Sequence, residues 1–208
     1  MRITRVEVFT AAMPMKVPFK IAIGTTTVSQ SLFVRVHTDT GLVGIGEANI
    51  FTPVVGETIE TARVAAAELG RALIGADPAD IEGRVADMGR RLPNNFTTRS
   101  AFDMALWDIL GKAAGLPLFA LLGGRRRPIA TDNTVGLDAP EVMAQRAASF
   151  KARGFRAIKV KLGTDLATDI ARMHAIRAAV GPDHELRVDA NQGWSRVVAT
   201  KALGALAA

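Results

Sequence analysis

The sequence has no cysteine and no tyrosine among its 208 residues, and it has no long apolar run. Without cysteine the chain can form neither a disulfide framework nor a thiolate metal site. No stretch approaches the roughly 18 consecutive apolar residues that a membrane span needs, so we expect no membrane association. The first residues alternate polar and apolar side chains, which predicts a strand and not a secretion signal. We therefore expect a globular protein of the cytoplasm.

Positive charge is in modest excess, with 26 Lys and Arg against 20 Asp and Glu and a formal net charge of +6. Nucleic-acid binding requires clustered positive charge and, for single strands, aromatic stacking platforms. The only dense basic run is Arg125–Arg127, and the nine phenylalanines do not interleave with basic residues. We expect no nucleic-acid partner. Hydrophobic residues at 49% and charged residues at 22% are ordinary for a folded enzyme or binding domain.

The spacing of apolar residues divides the chain near residue 125. Residues 1–125 place strands first and helices after them, as in an α+β domain. A period of two marks the strands and a period of 3.6 marks the helices. The predicted elements are strands 31–37 and 42–48, helix 58–74, a helix opened by Asp77 and Pro78, and helix 98–114.

Residues 126–208 follow a different rhythm, in which three strands alternate with three helices. The predicted strands are 129–135, 155–162 and 185–190, and the helices are 139–153, 165–180 and 195–206. This alternation is typical of a parallel sheet. A closed eight-stranded barrel takes about 250 residues, so length alone leaves a small open sheet and an incomplete barrel as alternatives.

Two lysines stand out at the end of the second of these strands, Lys159 and Lys161. Side chains alternate along a strand, so both lysines face the side opposite the apolar residues. Two neighbouring ammonium groups disfavour each other's charged state, which suits one of them to act as a general base. The alternative is an edge strand whose solvated lysines prevent aggregation.

One β/α unit later, Asp189 and Asn191 are predicted to share the face used by the lysines. A carboxylate at the end of a parallel strand is a reasonable ligand for a hard divalent cation. The alternative is a capping cluster for the next helix, formed by Asn191 or Ser195. Thr131, Asp132 and Thr134 could touch a ligand beside the first of the three strands or could form a plain turn.

These motifs, in this order, resemble the enolase superfamily, within it the mandelate racemase and muconate lactonizing enzyme family, and most of all its dipeptide epimerases of the Ala-Glu type. The resemblance covers the whole chain. The matching motifs are Gly-Ile-Gly-Glu-Ala at 44–48, Ala-Leu-Trp-Asp-Ile-Leu-Gly-Lys at 105–112, Gly-Leu-Pro-Leu at 115–118, Leu-Leu-Gly-Gly at 121–124, Thr-Asp-Asn-Thr-Val-Gly at 131–136, Lys-Val-Lys at 159–161 and Asp-Ala-Asn-Gln-Gly-Trp at 189–194.

The resemblance implies an α+β capping domain over residues 1–125 and the first three β/α units of an incomplete TIM-like barrel over 126–208. It implies an isomerase, forming a homo-oligomer, that uses Mg²⁺ to remove a proton α to the carboxylate of a small substrate such as a dipeptide, through an enediolate. Lys161 would be the base, with Lys159 beside it. Asp189 would be a metal ligand supported by Asn191.

Substrate contacts are also implied by the resemblance. Thr134 would contact the substrate from the first barrel strand, and Asn191 would also contact it. A loop over residues 19–28 that includes Gly24 and Thr25 would close over it. Epimerases of the Ala-Glu type place an arginine in this loop, where the matching position of the present chain is Gly24, and no cationic residue follows Gly24 until Arg35. This difference disfavours an acidic dipeptide and favours a different or more apolar one.

The family's other metal ligands and its second catalytic lysine lie on later strands, which the chain does not contain. A two-base proton transfer needs groups on both faces of the substrate, so we expect no epimerisation by this chain alone. A muconate cycloisomerase or o-succinylbenzoate synthase relative is the alternative enzyme. A catalytically inactive binding or oligomerisation module is the alternative of another class.

Overall fold

A computed structural model of the chain describes residues 1–207. Its N-terminal part contains three strands followed by five helices. They are β1 (Ile3–Ile21), β2 (Gly24–Thr38), β3 (Val43–Asn49), α1 (Thr52–Val55), α2 (Ile59–Leu73), α3 (Ile81–Arg91), α4 (Phe96–Ala114) and α5 (Leu118–Leu121). The rest of the described chain alternates strands and helices. They are β4 (Asn133–Val135), α6 (Pro140–Ala152), β5 (Ala157–Lys161), α7 (Leu166–Val180), β6 (Glu185–Asp189) and α8 (Arg196–Ala207).

The N-terminal sheet has the strand order β1-β2-β3, and β2 pairs antiparallel with β3. Along β2, Leu32, Val34 and Val36 are fully buried because alternate side chains point to the same face. Helix α4 covers this face with Phe102 and Leu106, which are also fully buried. The sheet and helix together form one apolar core.

Two glycines set the distance between β3 and α4. A Cβ at Gly44 would collide with the backbone carbonyl of Ala105, and one at Gly46 would collide with that of Ala101. The strand and the helix therefore meet backbone to backbone, which only glycine permits. The Gly-rich spacing of this hairpin reflects packing against α4.

The starts of α2 and α3 follow from capping side chains. Thr58 caps α2 by accepting a hydrogen bond from the backbone N–H of Thr61, at the predicted start of that helix. The predicted start of the next helix at Asp77 is wrong. Asp77 closes a turn by accepting from the N–H of Ala79, and Asp80 caps α3 through Gly83.

The second sheet has the order β4-β5-β6, and both pairings are parallel. Helices α6 and α7 supply Met143, Ala147 and Ile176 to a core that also contains Ile158 and Val160 of β5. The first strand is shorter than predicted, since only residues 133–135 pair with β5, and Ile129 is 83% exposed. Val188 of the edge strand β6 is 38% exposed, although the alternation predicts that it faces the helices.

Two compact units divide the chain. The first consists of Met1–Pro14 and Val28–Arg127, and the second of Met15–Thr27 together with the described chain from Pro128 onward. We call residues 15–27 the hairpin segment, because they include the turn at Ala22 and Ile23 between β1 and β2. Its Lys20 carbonyl accepts a hydrogen bond of 2.9 Å from the N–H of Leu137 in the second unit. No helix in the described part of the chain is long and apolar enough to cross a membrane.

Candidate active site

Strand β5 presents its two lysines away from the helices that cover its other face. Ile158 and Val160 are fully buried in the core with α6 and α7, so the alternation sends Lys159 and Lys161 to the opposite face. The Lys161 side chain is 8% exposed, and that of Lys159 is 36% exposed. Because β5 lies between β4 and β6, the alternative of an edge strand with solvated lysines is wrong.

Asp189 lies directly beside Lys161, since the two residues are register partners of β6 and β5. Its Oδ2 atom lies 2.7 Å from Lys159 Nζ and 2.9 Å from Lys161 Nζ. Burial of the Asp189 carboxyl acts to raise its pKa, but hydrogen bonds from Lys159, Lys161 and the backbone of Asn191 outweigh this effect. They hold the pKa of Asp189 well below its ordinary value of 3.8.

Asn191 completes this group from the segment that follows β6. Its backbone N–H donates to Asp189 Oδ1 at 2.9 Å, and its side-chain Oδ1 accepts from Lys161 Nζ at 2.7 Å. Asn191 has a left-handed backbone with φ of 42°, which turns its side chain back toward the lysine. It does not cap α8, because the hydroxyl of Ser195 accepts from the N–H of Val198 instead. We call Lys159, Lys161, Asp189 and Asn191 the lysine–aspartate cluster.

The first strand of the sheet brings Thr134 to the edge of the cluster. Thr134 is the register partner of Lys159, so both side chains share one face of the sheet. Asp132 instead pairs with Arg187, at 3.1 Å between Oδ2 and Nη1, and Thr131 is exposed. Of these three candidates, Thr134 is the one that the sheet places beside a lysine.

The hairpin segment contributes an aromatic ring to the same region. The centroid of the Phe19 ring lies 6.0 Å from Lys161 Nζ, within reach of a cation–π interaction. The segment predicted as a loop over residues 19–28 is strand except for the turn at residues 22 and 23, and Gly24 and Thr25 open β2 just beyond that turn. Within residues 1–207, no hydrogen bond joins either of them to the lysine–aspartate cluster.

Sequence reasoning missed two residues next to the cluster. Phe19 was predicted only as part of a loop, because nothing in the sequence indicates which side chain of that loop approaches Lys161. Asp169 lies in the first turn of α7, where an acidic residue is ordinary for a helix start. Its near-complete burial, at 1% exposure, is visible only in the structure.

The oxygen atoms of Asp189 and Asn191 are the hard donors that Mg²⁺ prefers. No group of three Asp, Glu, His or Cys side chains in the described part of the chain could hold a metal ion. Mg²⁺ is commonly bound through one or two carboxylates, with water and substrate oxygens completing its shell. Asp189 therefore fits as one ligand of such an ion, and the described residues supply only that part of a site.

Comparison with family models gives two matches along the chain. Residues 3–123 match the N-terminal domain of mandelate racemase / muconate lactonizing enzyme, and residues 142–208 match the enolase C-terminal domain-like family. Both motifs that form the lysine–aspartate cluster lie within the second match.

Several curated relatives of the chain are epimerases. The D-Ala-D/L-Ala epimerase of Cytophaga hutchinsonii is 41% identical over 98% of this chain and 55% of its own length. The hydrophobic dipeptide epimerase of Enterococcus faecalis is 41% identical over 100% of this chain and 58% of its own length. The L-Ala-D/L-Glu epimerase of Bacillus subtilis is 40% identical over 93% of this chain and 54% of its own length.

Solved structures of dipeptide epimerases from two of these organisms are also similar to the chain. The Cytophaga hutchinsonii dipeptide epimerase, complexed with Mg and D-Ala-L-Val, has a TM-score of 0.97 and 40% identity, with 100% of this chain and 56% of that chain covered. The Enterococcus faecalis dipeptide epimerase, complexed with Mg and L-Leu-L-Tyr, has a TM-score of 0.96 and 40% identity, with 100% of this chain and 58% of that chain covered. The chain thus spans little more than half the length of the relatives it matches.

Proposed function

Because the chain belongs to the mandelate racemase / muconate lactonizing enzyme family of the enolase superfamily, we propose that its site acts in the Mg²⁺-dependent epimerisation of dipeptides with small or apolar side chains. The observation that carries this proposal is the contact of Lys161 and Lys159 with one carboxylate oxygen of Asp189. It joins a nearly buried base to a hard metal ligand at the end of two parallel strands.

In this proposal Lys161 removes the proton from the α-carbon next to the substrate carboxylate. A lysine amine is one of the groups that act as general bases in proton transfer. Lys161 suits this step by its position, because it is the less exposed of the pair and its Nζ lies beside Asp189. Lys159 stabilises the negative charge that develops on the substrate carboxylate when the proton leaves. Asn191 orients Lys161 through its side-chain oxygen.

Asp189, supported by Asn191, would be the residue of this chain that holds Mg²⁺. When bound, the ion supplies positive charge beside the substrate carboxylate and so makes the α-proton more acidic. Asp189 suits this role because it is a carboxylate at neutral pH and stands at the end of its strand beside both lysines. Lys159 and Lys161 are held beside it by the same oxygen.

The substrate class is proposed from the hairpin segment and from the relatives. Phe19 presents an apolar ring beside Lys161, and Gly24 stands where the family's Ala-Glu epimerases have an arginine, with no cationic residue from there to Val34. Two of the matched relatives are named for Ala-Ala and for hydrophobic dipeptides. A dipeptide with small or apolar side chains fits these features better than one with a glutamate.

The test follows deuterium entering the α-carbon of dipeptides in D₂O with Mg²⁺, by proton NMR. Exchange at one face needs only Lys161, whereas inversion also needs an acid on the other face. We expect exchange into L-Ala-L-Ala and L-Leu-L-Tyr to exceed exchange into L-Ala-L-Glu, with the L configuration retained. Lys161→Ala should lower the exchange rate by about 10²- to 10⁴-fold.

The matched control is Lys201→Ala, which removes an exposed lysine of α8 and should leave exchange unchanged. The same panel includes cis,cis-muconate. Its lactonisation by the protein would favour the alternative function, that of a muconate cycloisomerase, over dipeptide epimerisation. The proposal is wrong if the wild-type protein exchanges no dipeptide α-proton with Mg²⁺, or if Lys161→Ala exchanges as fast as the wild type.

A further inference from the structure

Asp169 is a buried carboxylate that the proposed chemistry does not use. Its side chain accepts five hydrogen bonds. The donors to Oδ2 are Gly163 N at 2.8 Å, Thr164 N at 3.2 Å and Trp194 Nε1 at 2.9 Å, and the donors to Oδ1 are Thr164 Oγ1 at 3.1 Å and Arg172 Nη1 at 2.8 Å. A carboxylate has about four lone-pair sites, so its capacity to accept is filled.

The donors to Oδ2 come from two different segments. Gly163 follows β5 two residues after Lys161, and Trp194 follows β6 three residues after Asn191. One oxygen atom of Asp169 therefore ties the segment that follows the proposed base to the segment that follows the proposed metal ligand. Hydrogen bonds to a buried charge are among the stronger ones, which makes this junction stiff.

Arg172 balances the charge of Asp169 and extends the junction to a third segment. It is 8% exposed, and its Nε donates to the backbone carbonyl of Asp138 at 2.9 Å. Asp138 follows β4, so the segments beyond all three strands of the sheet meet at the Asp169–Arg172 pair. The pair thus joins the three segments through direct hydrogen bonds.

The segments also touch through glycine. A Cβ at Gly163 would collide with the carbonyl of Ala190, and one at Gly193 would collide with the carbonyl of Gly163. Both positions also lie against the side chain of Ala22 in the hairpin segment. With no side chain at the contact to rotate away, a shift of one segment moves the backbone of the other.

We propose that Asp169 is a positioning residue which, through Trp194, fixes Asp189 and Asn191 relative to Lys161. The inference rests on the proposed function, because it assigns Asp169 a role in the proton transfer carried out by that cluster. A displacement of about 1 Å between reacting groups can lower a rate by about 10²-fold, so stiffness at this junction has a kinetic consequence.

The sharpest test is Trp194→Phe, which removes the hydrogen bond to Asp169 while keeping an aromatic ring against the core. The matched control is Trp107→Phe, since Trp107 is the chain's other tryptophan and packs in the first unit. Hydrogen exchange by mass spectrometry and the substrate α-proton exchange assay are measured on both variants and on the wild type.

For Trp194→Phe we expect faster backbone hydrogen exchange over residues 190–194 and a kcat for α-proton exchange lowered by about tenfold. We expect KM to stay within about twofold, because neither Asp169 nor Trp194 is a proposed substrate contact. Trp107→Phe should alter none of the three quantities. Asp169→Asn should give a larger fall in kcat in the same direction.

The inference is overturned if Trp194→Phe exchanges its backbone protons at the wild-type rate, or if it loosens the segment and keeps the wild-type kcat. A rise in KM at constant kcat would also contradict it, because that result belongs to a substrate contact. Failure of the proposed function looks different, since the wild type would then exchange no substrate proton at all. The backbone exchange over residues 190–194 would then decide by itself whether Asp169 and Trp194 fix the segment.

Discussion

Both units bring backbones together at glycines, but in the second a buried carboxylate also joins the segments that follow the strands. In the first unit, β3 and α4 meet where Gly44 and Gly46 leave no side chain between the two backbones. In the second, the segments beyond the strands meet around Asp169, a buried charge that accepts five hydrogen bonds. A side-chain atom added at Gly44 or Gly46 would disrupt the contact in the first unit. Loss of the Asp169 carboxylate would leave its hydrogen-bond donors without an acceptor in the second. The hydrogen bonds to Asp169 hold the segments that follow Lys161 and Asn191 of the lysine–aspartate cluster, where the orientation of the side chains matters most for proton transfer.

Gly46→Ala should break the first arrangement and have the largest effect on stability. The new methyl group would collide with the backbone carbonyl of Ala101, which cannot move without shifting α4. We expect a loss of about 3 kcal/mol in the free energy of unfolding, at the upper end for overpacked cores. Gly204→Ala is the matched control, because no atom lies within 4 Å of its added carbon. Urea denaturation measures both, and equal stability of the two variants would contradict the steric account.

Glu57→Gln tests whether the first unit also depends on a buried acceptor. The carboxylate is 6% exposed and accepts from the N–H groups of Thr97 and Thr98 at the start of α4, where Asn95 provides no side-chain cap. The amide can accept through only one oxygen, so one buried N–H loses its partner. We expect a loss of about 1–3 kcal/mol in urea denaturation.

The matched control for that variant is Glu141→Gln, an exposed glutamate in the first turn of α6. It should change the free energy of unfolding by less than about 0.5 kcal/mol. If the two variants are equally stable, the charge at the helix start accounts for the effect and the buried hydrogen bonds do not.

The prediction with the smallest expected effect concerns the acid sensitivity of the second unit. Because the folded state lowers the pKa of Asp189 below its ordinary value of 3.8, the stabilisation from its two lysines is present above that pH. It is lost as the pH falls through the lowered pKa. We expect the difference in melting temperature between the wild type and Asp189→Asn to shrink as the pH is lowered from 5 toward 2. A difference that stays constant over this range would show that the ion pairs contribute nothing.

Much of the site could be predicted because it depends on local alternation. A period of two places Lys159 and Lys161 on one face of β5, and the order of the β/α units places Asp189 on the next strand. Asp189 and Lys161 are 28 residues apart in sequence, yet adjacent in the sheet. Parallel strands align their carboxyl ends, so this long-range contact followed from a regular pattern.

The features that could not be predicted depend on contacts without a pattern. Both Asp77 and Asp80 are good capping residues, and α3 begins after Asp80, whose side chain accepts from the N–H of Gly83 and whose neighbour Ile81 is buried. Nothing in the sequence distinguishes Asp169 from an ordinary acidic residue at a helix start. Whether such a residue faces water or the core is decided by packing from segments far away along the chain.

The placement of the hairpin segment has a consequence for the order in which the protein can fold during synthesis. Ala22 leaves the ribosome early, but Gly163 and Gly193, against which it packs, are translated more than a hundred residues later. Domains generally fold as they emerge, N-terminal parts first. The first unit can therefore fold before the residues that pack against the hairpin segment have been translated. A ribosome stalled after Arg127 would present this segment, with Phe19 and Ile21 uncovered, to any chaperone that binds extended apolar chain.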